Sequence, residues 1–95
     1  MKISFTPEAV VDLSRLRAFI ESKNPIAAQR IANELLNGIE KLKAFPEIGL
    51  KVIRAPQSHS IKDLFVGNYT IRYLIGDNEI YILRMWQGKE IEKDF

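Results

Sequence analysis

The pattern of apolar and polar positions is clearest in the second half of the chain. Two runs, Tyr69–Ile75 and Ile80–Trp86, are rich in β-branched and aromatic residues. Between them, Gly76–Glu79 contains residues that favour turns. We therefore predict a β-hairpin closed by a two-residue turn at Asp77-Asn78.

This turn determines which residues lie opposite each other in the hairpin. The expected pairs are Ile75 with Ile80, Tyr73 with Ile82, Ile71 with Arg84, and Tyr69 with Trp86. Because side chains alternate between the two faces of a strand, Arg84 and Trp86 are expected on one face and Arg72 on the other. Both faces are otherwise mostly apolar, which indicates a sheet covered in part on both sides. Packing alone does not explain the two arginines.

The first half of the chain predicts a short strand at residues 2–5 and two amphipathic helices, in which apolar residues recur at spacings of three and four. The first helix begins at Thr6-Pro7, since threonine caps free N–H groups and proline suits the first helical position. It extends to about Lys23. Asn24-Pro25 repeats this start, and the second helix is expected to end near Phe45-Pro46. The very short connection predicts an antiparallel helical hairpin.

Residues 46–60 are the least regular part of the sequence, with Lys51–Arg54 as a candidate for one short strand. Ile61–Val66 is extended again, and Gly67-Asn68 forms a tight turn into the hairpin. The polar tail, residues 87–95, is expected to be a short helix or a frayed end. The order β-α-α-β-β-β predicts a single α+β domain over residues 1–95, with the helical hairpin packed on one face of a mostly antiparallel sheet.

Composition excludes several classes of protein. A chain of 95 residues with 46% apolar content fits one domain with a modest core. It contains no cysteine, which excludes disulfides and thiolate metal sites. No segment has the roughly 20 apolar residues that a membrane span needs. No signal peptide is evident at the start, so we expect a cytoplasmic protein.

The charge is weakly positive overall but unevenly distributed. Formal net charge is +2, while residues 41–62 hold five basic residues against one acidic residue. The basic residues of this stretch are Lys41, Lys43, Lys51, Arg54 and Lys62. Such a stretch can form a surface for a phosphate backbone or an acidic partner, or it can be an ordinary solvated loop. Both interpretations remain open.

The residues offer little support for a metal site or for nucleophilic catalysis. His59 is the only histidine, and the acidic residues do not cluster at the spacing of metal ligands. Ser58 and Ser60 flank His59, but neighbours in sequence do not form a triad. No glycine-rich phosphate-binding motif is present. We therefore expect no metal, no cofactor and no catalytic residue.

Phosphodiester cleavage needs cations near the developing charge and groups that transfer protons. The available cations are Arg72, Arg84, Lys51, Arg54, Lys62 and Lys89. Candidate proton-transfer groups are His59 and three tyrosines in the strands, which more often serve packing. Each sheet arginine can instead pair with a carboxylate such as Asp63 or Glu90. Trp86 is either a core residue or a binding anchor.

Five segments together resemble the RelE/ParE toxin superfamily. In order they are FTPEAxxDL, NPIAAxRI, LKAFPEIGL, IKDLFVGNYTIRY and ILRMWQGKE, and they cover nearly the whole chain. The two long helices and the last-strand segment are closest to the ParE branch. This resemblance implies a toxin of a type II toxin–antitoxin module with the fold predicted above. It also implies a cognate antitoxin, whose disordered C-terminal segment folds on the toxin.

The two branches of the superfamily differ in target. RelE-like members are ribosome-dependent mRNA endonucleases, often with a tyrosine or histidine near the C-terminus, and no such residue follows Trp86 here. ParE-like members trap DNA gyrase on cleaved DNA. The resemblance therefore favours gyrase as the target. The ribosome is the alternative target, and a degenerate toxin that only binds antitoxin is the third hypothesis. DNA contact is expected only through antitoxin or gyrase, and membrane contact is not expected.

The last-strand motif supplies the candidate site. Many relatives read R-x-W/F-H-G-R here, and Arg84, Trp86 and Lys89 correspond to this motif, with Gln87 in place of the common histidine. We assign toxicity or target binding first to these three residues, Arg84, Trp86 and Lys89, and then to Arg72 and Arg54. No antitoxin-binding residue is assigned. Arg84→Ala is expected to reduce toxicity in a protein that still folds and binds antitoxin.

Overall fold

The computed structural model describes residues 1–52 and 60–88. Its elements are β1 (Lys2–Phe5), α1 (Pro7–Lys23), α2 (Pro25–Lys41), β2 (Leu50–Lys51), β3 (Ile61–Val66), β4 (Tyr69–Ile75) and β5 (Glu79–Gln87). This order confirms the predicted α+β fold. Ile53 and Arg54 of the candidate strand, and the tail beyond Gly88, lie outside the described residues.

Both helices begin where the capping residues predict. The side-chain oxygens of Thr6 and Asn24 accept hydrogen bonds from the N–H groups of Ala9 and Ala27, each at 3.1 Å. Asn24 alone connects the helices, and its own N–H donates to the carbonyl of Ile20 at 2.8 Å. One residue therefore ends α1 and caps α2, as the predicted helical hairpin requires.

The predicted end of α2 near Phe45-Pro46 is wrong, because the helix ends at Lys41 and residues 42–44 form a turn. Leu42 is fully buried, whereas Phe45 is exposed, so the apolar face of the helix ends there. The buried hydroxyl of Tyr73 fixes the chain beyond the turn. It donates to the Pro46 carbonyl at 2.6 Å and accepts from the Gly49 N–H at 3.0 Å.

The five strands form one sheet in the order β1-β5-β4-β3-β2. β1 pairs in parallel with β5, at the edge beside the hairpin, and the other pairs are antiparallel. The two-residue turn at Asp77-Asn78 is confirmed by a 2.8 Å hydrogen bond from the Gly76 N–H to the Glu79 carbonyl. Gly67 in the β3–β4 turn has a φ of 58°, which glycine adopts without strain.

The main core lies between the sheet and the helices. α1 packs on β5 and α2 packs on β3. The sheet contributes the fully buried side chains of Ile71, Tyr73, Ile80 and Ile82. A smaller cluster of Val52, Ile61, Leu74 and Leu83 covers part of the opposite face, which we call the outer face. The expectation that both faces are partly covered is confirmed.

The predicted hairpin register is correct near the turn and wrong beyond it. Ile75 pairs with Ile80 and Tyr73 pairs with Ile82, as expected. The ladder then passes over Leu83 in a β-bulge, so the following pairs are Arg72 with Arg84, Ile71 with Met85, and Thr70 with Trp86. The expected pairs Ile71–Arg84 and Tyr69–Trp86 do not form. Met85 instead joins the helix-facing core, and Trp86 lies on the outer face with Arg72.

Candidate functional site

Arg72 and Trp86 form the centre of the outer face. The Arg72 guanidinium lies over the Trp86 ring, 5.0 Å from its centroid, and Arg72 is only 1% exposed. Asp63, directly across on β3, accepts two hydrogen bonds from Arg72, at 2.8 and 2.9 Å. This bidentate pair neutralises the buried guanidinium and holds it in the plane that contacts the indole. Asp63 was one of the two carboxylates, with Glu90, that we predicted as possible partners of the sheet arginines.

Arg84 is held by a second bidentate pair, which sequence reasoning missed. Its Nε donates to Asp12 Oδ2 at 2.8 Å and its terminal nitrogen to Asp12 Oδ1 at 3.1 Å. Asp12 lies on the sheet-facing side of α1 and is 3% exposed. The same carboxylate accepts the backbone N–H of Met85 at 2.9 Å. The sequence did contain a sign of this pair. Asp12 is a charged residue on the helix face of Ala9 and Leu16, which is otherwise apolar.

The surroundings of Asp12 keep its carboxylate charged. Burial by itself raises the pKa of Asp12. The hydrogen bonds from Arg84 and from the Met85 N–H, with the charges of Arg84 and Arg15, outweigh burial and lower the pKa below its usual range. Asp12 is therefore the ionised partner of Arg84 at neutral pH.

A cavity of about 400 Å³ opens on the outer face beside Trp86. Its lining consists of Phe65, Gly67, Asn68, Thr70, Trp86, Gln87 and Gly88. Trp86 is 5% exposed and forms a fixed wall, whereas Phe65 is 58% exposed. The Gly88 N–H donates to the Asn68 carbonyl at 2.6 Å and links two residues of the lining. Aromatic, hydroxyl and amide groups together suit a partner group that is partly apolar and forms hydrogen bonds.

The structure brings together two of the five predicted site residues, Arg72 and Trp86, which are in contact on the outer face. Arg84 lies on β5 opposite Arg72 but is bound to Asp12 of α1. Arg54 and Lys89, together with His59, lie outside the described residues. Both arginines in this set are engaged by buried or half-buried carboxylates.

The tyrosines of the sheet are held in structural contacts. Tyr73 is fully buried, and burial, the largest effect, raises its pKa. The Gly49 N–H lowers the pKa, and the charges of nearby Glu47 and Asp63 raise it by smaller amounts. The Tyr81 hydroxyl donates to the Glu79 carboxylate, and this hydrogen bond raises the pKa of Tyr81. A raised pKa makes a tyrosinate base less accessible at neutral pH.

Two further observations concern metal binding and charge. Across residues 1–52 and 60–88 no group of three or more His, Asp or Glu side chains is placed to hold a metal ion.

Lys62, from the basic stretch, is 6% exposed, and its Nζ lies 3.8 Å from a carboxylate oxygen of Glu47. At least this lysine of the stretch faces the protein rather than the solvent.

The helical hairpin exposes several large apolar side chains. These are Val10, Val11, Phe19, Ile26 and Leu36. A second groove of about 450 Å³ lies between α2 and β3 and shares exposed Phe65 with the Trp86 cavity; Ile48 is also exposed there. Exposed apolar side chains of this size are candidates for a surface that binds a partner.

Comparison with known proteins identifies the class of protein that this fold and surface represent. The chain resembles a solved structure of the chromosomal ParDE toxin–antitoxin system from P. aeruginosa, with a TM-score of 0.69 and 17% identity over 92% of this chain and 95% of that one. At this identity the likeness shows the fold. A relative from Caulobacter vibrioides (strain ATCC 19089 / CIP 103742 / CB 15), Toxin RelE2, is 31% identical over 84 residues, which are 88% of this chain and 91% of that protein.

Residues 3–92 match the model of the ParE toxin family, described as the ParE toxin of the type II toxin–antitoxin system parDE. The chain therefore belongs to this family and is a toxin of the RelE/ParE superfamily. Membership implies a cognate antitoxin as its partner. No helix in the described part of the chain is long and apolar enough to span a membrane.

Proposed function

We propose that this toxin inhibits growth by poisoning DNA gyrase and acts as a protein inhibitor without a catalytic site of its own. The observation that carries the proposal is the pairing of both sheet arginines. Arg72 is bound bidentately by Asp63, and Arg84 is bound bidentately by Asp12. A cytoplasmic location is part of the proposal, because gyrase is found there.

These ion pairs argue against phosphodiester cleavage on the described sheet. A nuclease stabilises the charge of its transition state with cations that are aimed at the substrate. Here the carboxylates neutralise the guanidinium groups, and moving Arg84 onto a phosphate would leave Asp12 buried and charged without its partner. Tyr73 is enclosed by the Pro46 and Gly49 backbone, so it has no path to a substrate.

The outer face offers a docking surface instead. Trp86 and Phe65 provide aromatic area around the 400 Å³ cavity, and Asn68 and Gln87 provide amides at its rim. Rigid aromatic side chains beside a cavity are typical anchors of protein–protein interfaces. We infer that this cavity, with Lys89 directly after Gly88 in sequence, contacts gyrase.

The antitoxin is proposed to cover the exposed apolar side chains of the helical hairpin. An extended or helical segment that folds on binding can bury Phe19 and Ile26 without displacing the sheet. Neutralisation then requires only that the antitoxin also restricts access to the outer face.

Induction of the toxin in cells that lack the antitoxin tests the target. Plasmid supercoiling, cleaved chromosomal DNA and transcript 5′ ends are measured in the same culture. We expect relaxed plasmid and double-strand breaks that co-expressed antitoxin prevents. Normal supercoiling would contradict the proposal.

One finding favours a second candidate, a ribosome-dependent mRNA endonuclease. The 31% identical relative carries the name RelE2. In the same induction experiment this function predicts mRNA cuts at fixed codon positions with unchanged DNA topology. Normal growth without antitoxin would indicate the third hypothesis, a degenerate toxin that only binds antitoxin.

A further inference from the structure

The hairpin sequence is compatible with two registers, and the structure contains only one of them. Without a bulge, Arg84 would lie opposite Ile71 and Trp86 would face the helices. With Leu83 as the bulged residue, Met85 lies opposite Ile71 and packs in the core, and Trp86 lies on the outer face. Local alternation of apolar residues does not choose between them. The choice requires a contact from elsewhere in the chain.

Asp12 provides that contact at the bulge. The edge of β5 is covered by β1 only as far as Ile82, which pairs with Phe5. Beyond this point α1 replaces β1. The Thr6 hydroxyl donates to the Leu83 carbonyl at 2.9 Å, and Asp12 accepts from the Met85 N–H at 2.9 Å.

The geometry of the carboxylate is specific to the bulged register. One oxygen of Asp12 accepts both the Met85 N–H and Arg84 Nε, and the other accepts the terminal nitrogen of Arg84. A slip of one residue would carry Met85 away from this oxygen and place Arg84 opposite Ile71 in an apolar layer. Asp12, at 3% exposure, would then be buried without either donor.

We propose that Asp12 is a positioning residue that selects the bulged register of β5 and thereby places Trp86 on the outer face. The functional part of this inference rests on the proposed role of the Trp86 cavity in toxicity. Asp12 itself contacts no target. It acts by holding Arg84 and Met85 so that Trp86, Gln87 and Gly88 line the cavity.

The first test determines the register directly. Asp12→Ala and the nearly isosteric Asp12→Asn are compared with wild type by NMR cross-strand contacts of Ile71 and by the fluorescence of Trp86, the only tryptophan in the chain. We expect loss of the Ile71–Met85 contact and a shifted emission maximum in Asp12→Ala, with a smaller change in Asp12→Asn. Unchanged contacts and emission in Asp12→Ala would overturn the inference.

Glu21→Gln is the matched control, because Glu21 lies on the same helix in an exposed ion pair with Arg17. It should leave both signals unchanged. If Asp12→Ala does not fold, the double variant Asp12→Leu with Arg84→Met keeps much of the side-chain volume but removes both charges and the oxygen that accepts the Met85 N–H. That variant is expected to lose the Ile71–Met85 contact, and a wild-type contact pattern in it would overturn the inference.

The second test concerns toxicity. In variants that retain antitoxin binding, growth inhibition should fall by about tenfold or more in Asp12→Ala and remain at the wild-type level in Glu21→Gln. Full toxicity in a variant with a shifted register would overturn the claim that this register is needed for toxicity. Wild-type protein that leaves gyrase unaffected would instead contradict the proposed function, and the NMR comparison would still decide the role of Asp12.

Discussion

Arg84 makes two hydrogen bonds to a carboxylate that is itself almost fully buried, so its replacement alters more than surface charge. Removing one partner of a buried ion pair leaves the other charge without compensation. We expect Arg84→Ala to reduce the free energy of unfolding by about 3 kcal/mol. Urea denaturation of the purified variant measures this loss.

The double variant Asp12→Ala with Arg84→Ala is the informative comparison, because it removes both charges together. It should be more stable than Arg84→Ala alone. Arg17→Ala, which breaks the exposed pair with Glu21, should change stability by less than about 1 kcal/mol. Equal stability of Arg84→Ala and wild type would contradict the structural role. A loss of toxicity in Arg84→Ala alone therefore does not show that Arg84 contacts a target.

The lowered pKa of Asp12 predicts a pH dependence of stability. A carboxyl group whose pKa is lower in the folded state stabilises the fold above its unfolded pKa, and this contribution is lost as pH falls through the folded pKa. The free energy of unfolding should therefore decrease below about pH 4. Asp12→Asn should show a smaller decrease over the same range in urea denaturation. Identical pH profiles for the two proteins would contradict this assignment.

At the scale of the elements, the close packing of α2 against β3 depends on Gly38. A Cβ at this position would lie 2.7 Å from Val66 Cγ2 and 3.6 Å from Leu64 Cδ2. Helix propensity alone predicts that Gly38→Ala stabilises α2 by about 1 kcal/mol. Valine is stiff about χ1 and cannot easily move away, so we expect a net destabilisation of about 1–2 kcal/mol.

Thermal or urea denaturation of Gly38→Ala measures this effect. Adding Val66→Ala should recover part of the lost stability, because it removes the clashing methyl group. Asn33→Ala, on the same helix but facing the solvent, is the control and should stabilise slightly or have no effect. A Gly38→Ala protein more stable than wild type would show that the two elements are not held at this distance.

The start of each helix could be predicted from the sequence because the contacts that determine it are local. Thr6 and Asn24 cap N–H groups only three residues away, and Asp77-Asn78 closes the hairpin between adjacent strands. The bulge at Leu83 could not be predicted, because alternation fits a regular register equally well. The contact that favours the bulge comes from Asp12, more than 70 residues earlier.

The same difference between local and distant contacts applies to the candidate site. Arg72 could be predicted from the strand pattern and Trp86 from the last-strand motif. Asp63 could be proposed as a partner of a sheet arginine because it is a carboxylate near the hairpin. That Trp86 lies with Arg72 rather than Arg84 depends on the bulge. The end of α2 was missed for a similar reason, since the Tyr73 hydroxyl holds the turn at Pro46 and Gly49 from a distant strand.

At the scale of the whole molecule, the described residues form two surfaces to which we assign different roles. In the function we propose, the apolar side chains of the helical hairpin bind the antitoxin, and the Trp86 cavity on the outer face of the sheet binds the target. The sheet between them carries ion pairs that fix its register. This arrangement is consistent with a toxin that acts by docking rather than by catalysis.

The most direct test of this account is a supercoiling and cleavage assay with purified gyrase, the purified toxin and the antitoxin encoded beside it. We predict that the toxin abolishes supercoiling, that cleaved DNA accumulates, and that the antitoxin restores activity. Trp86→Ala should weaken this inhibition without preventing antitoxin binding. Gyrase that remains fully active in excess toxin would contradict the central claim.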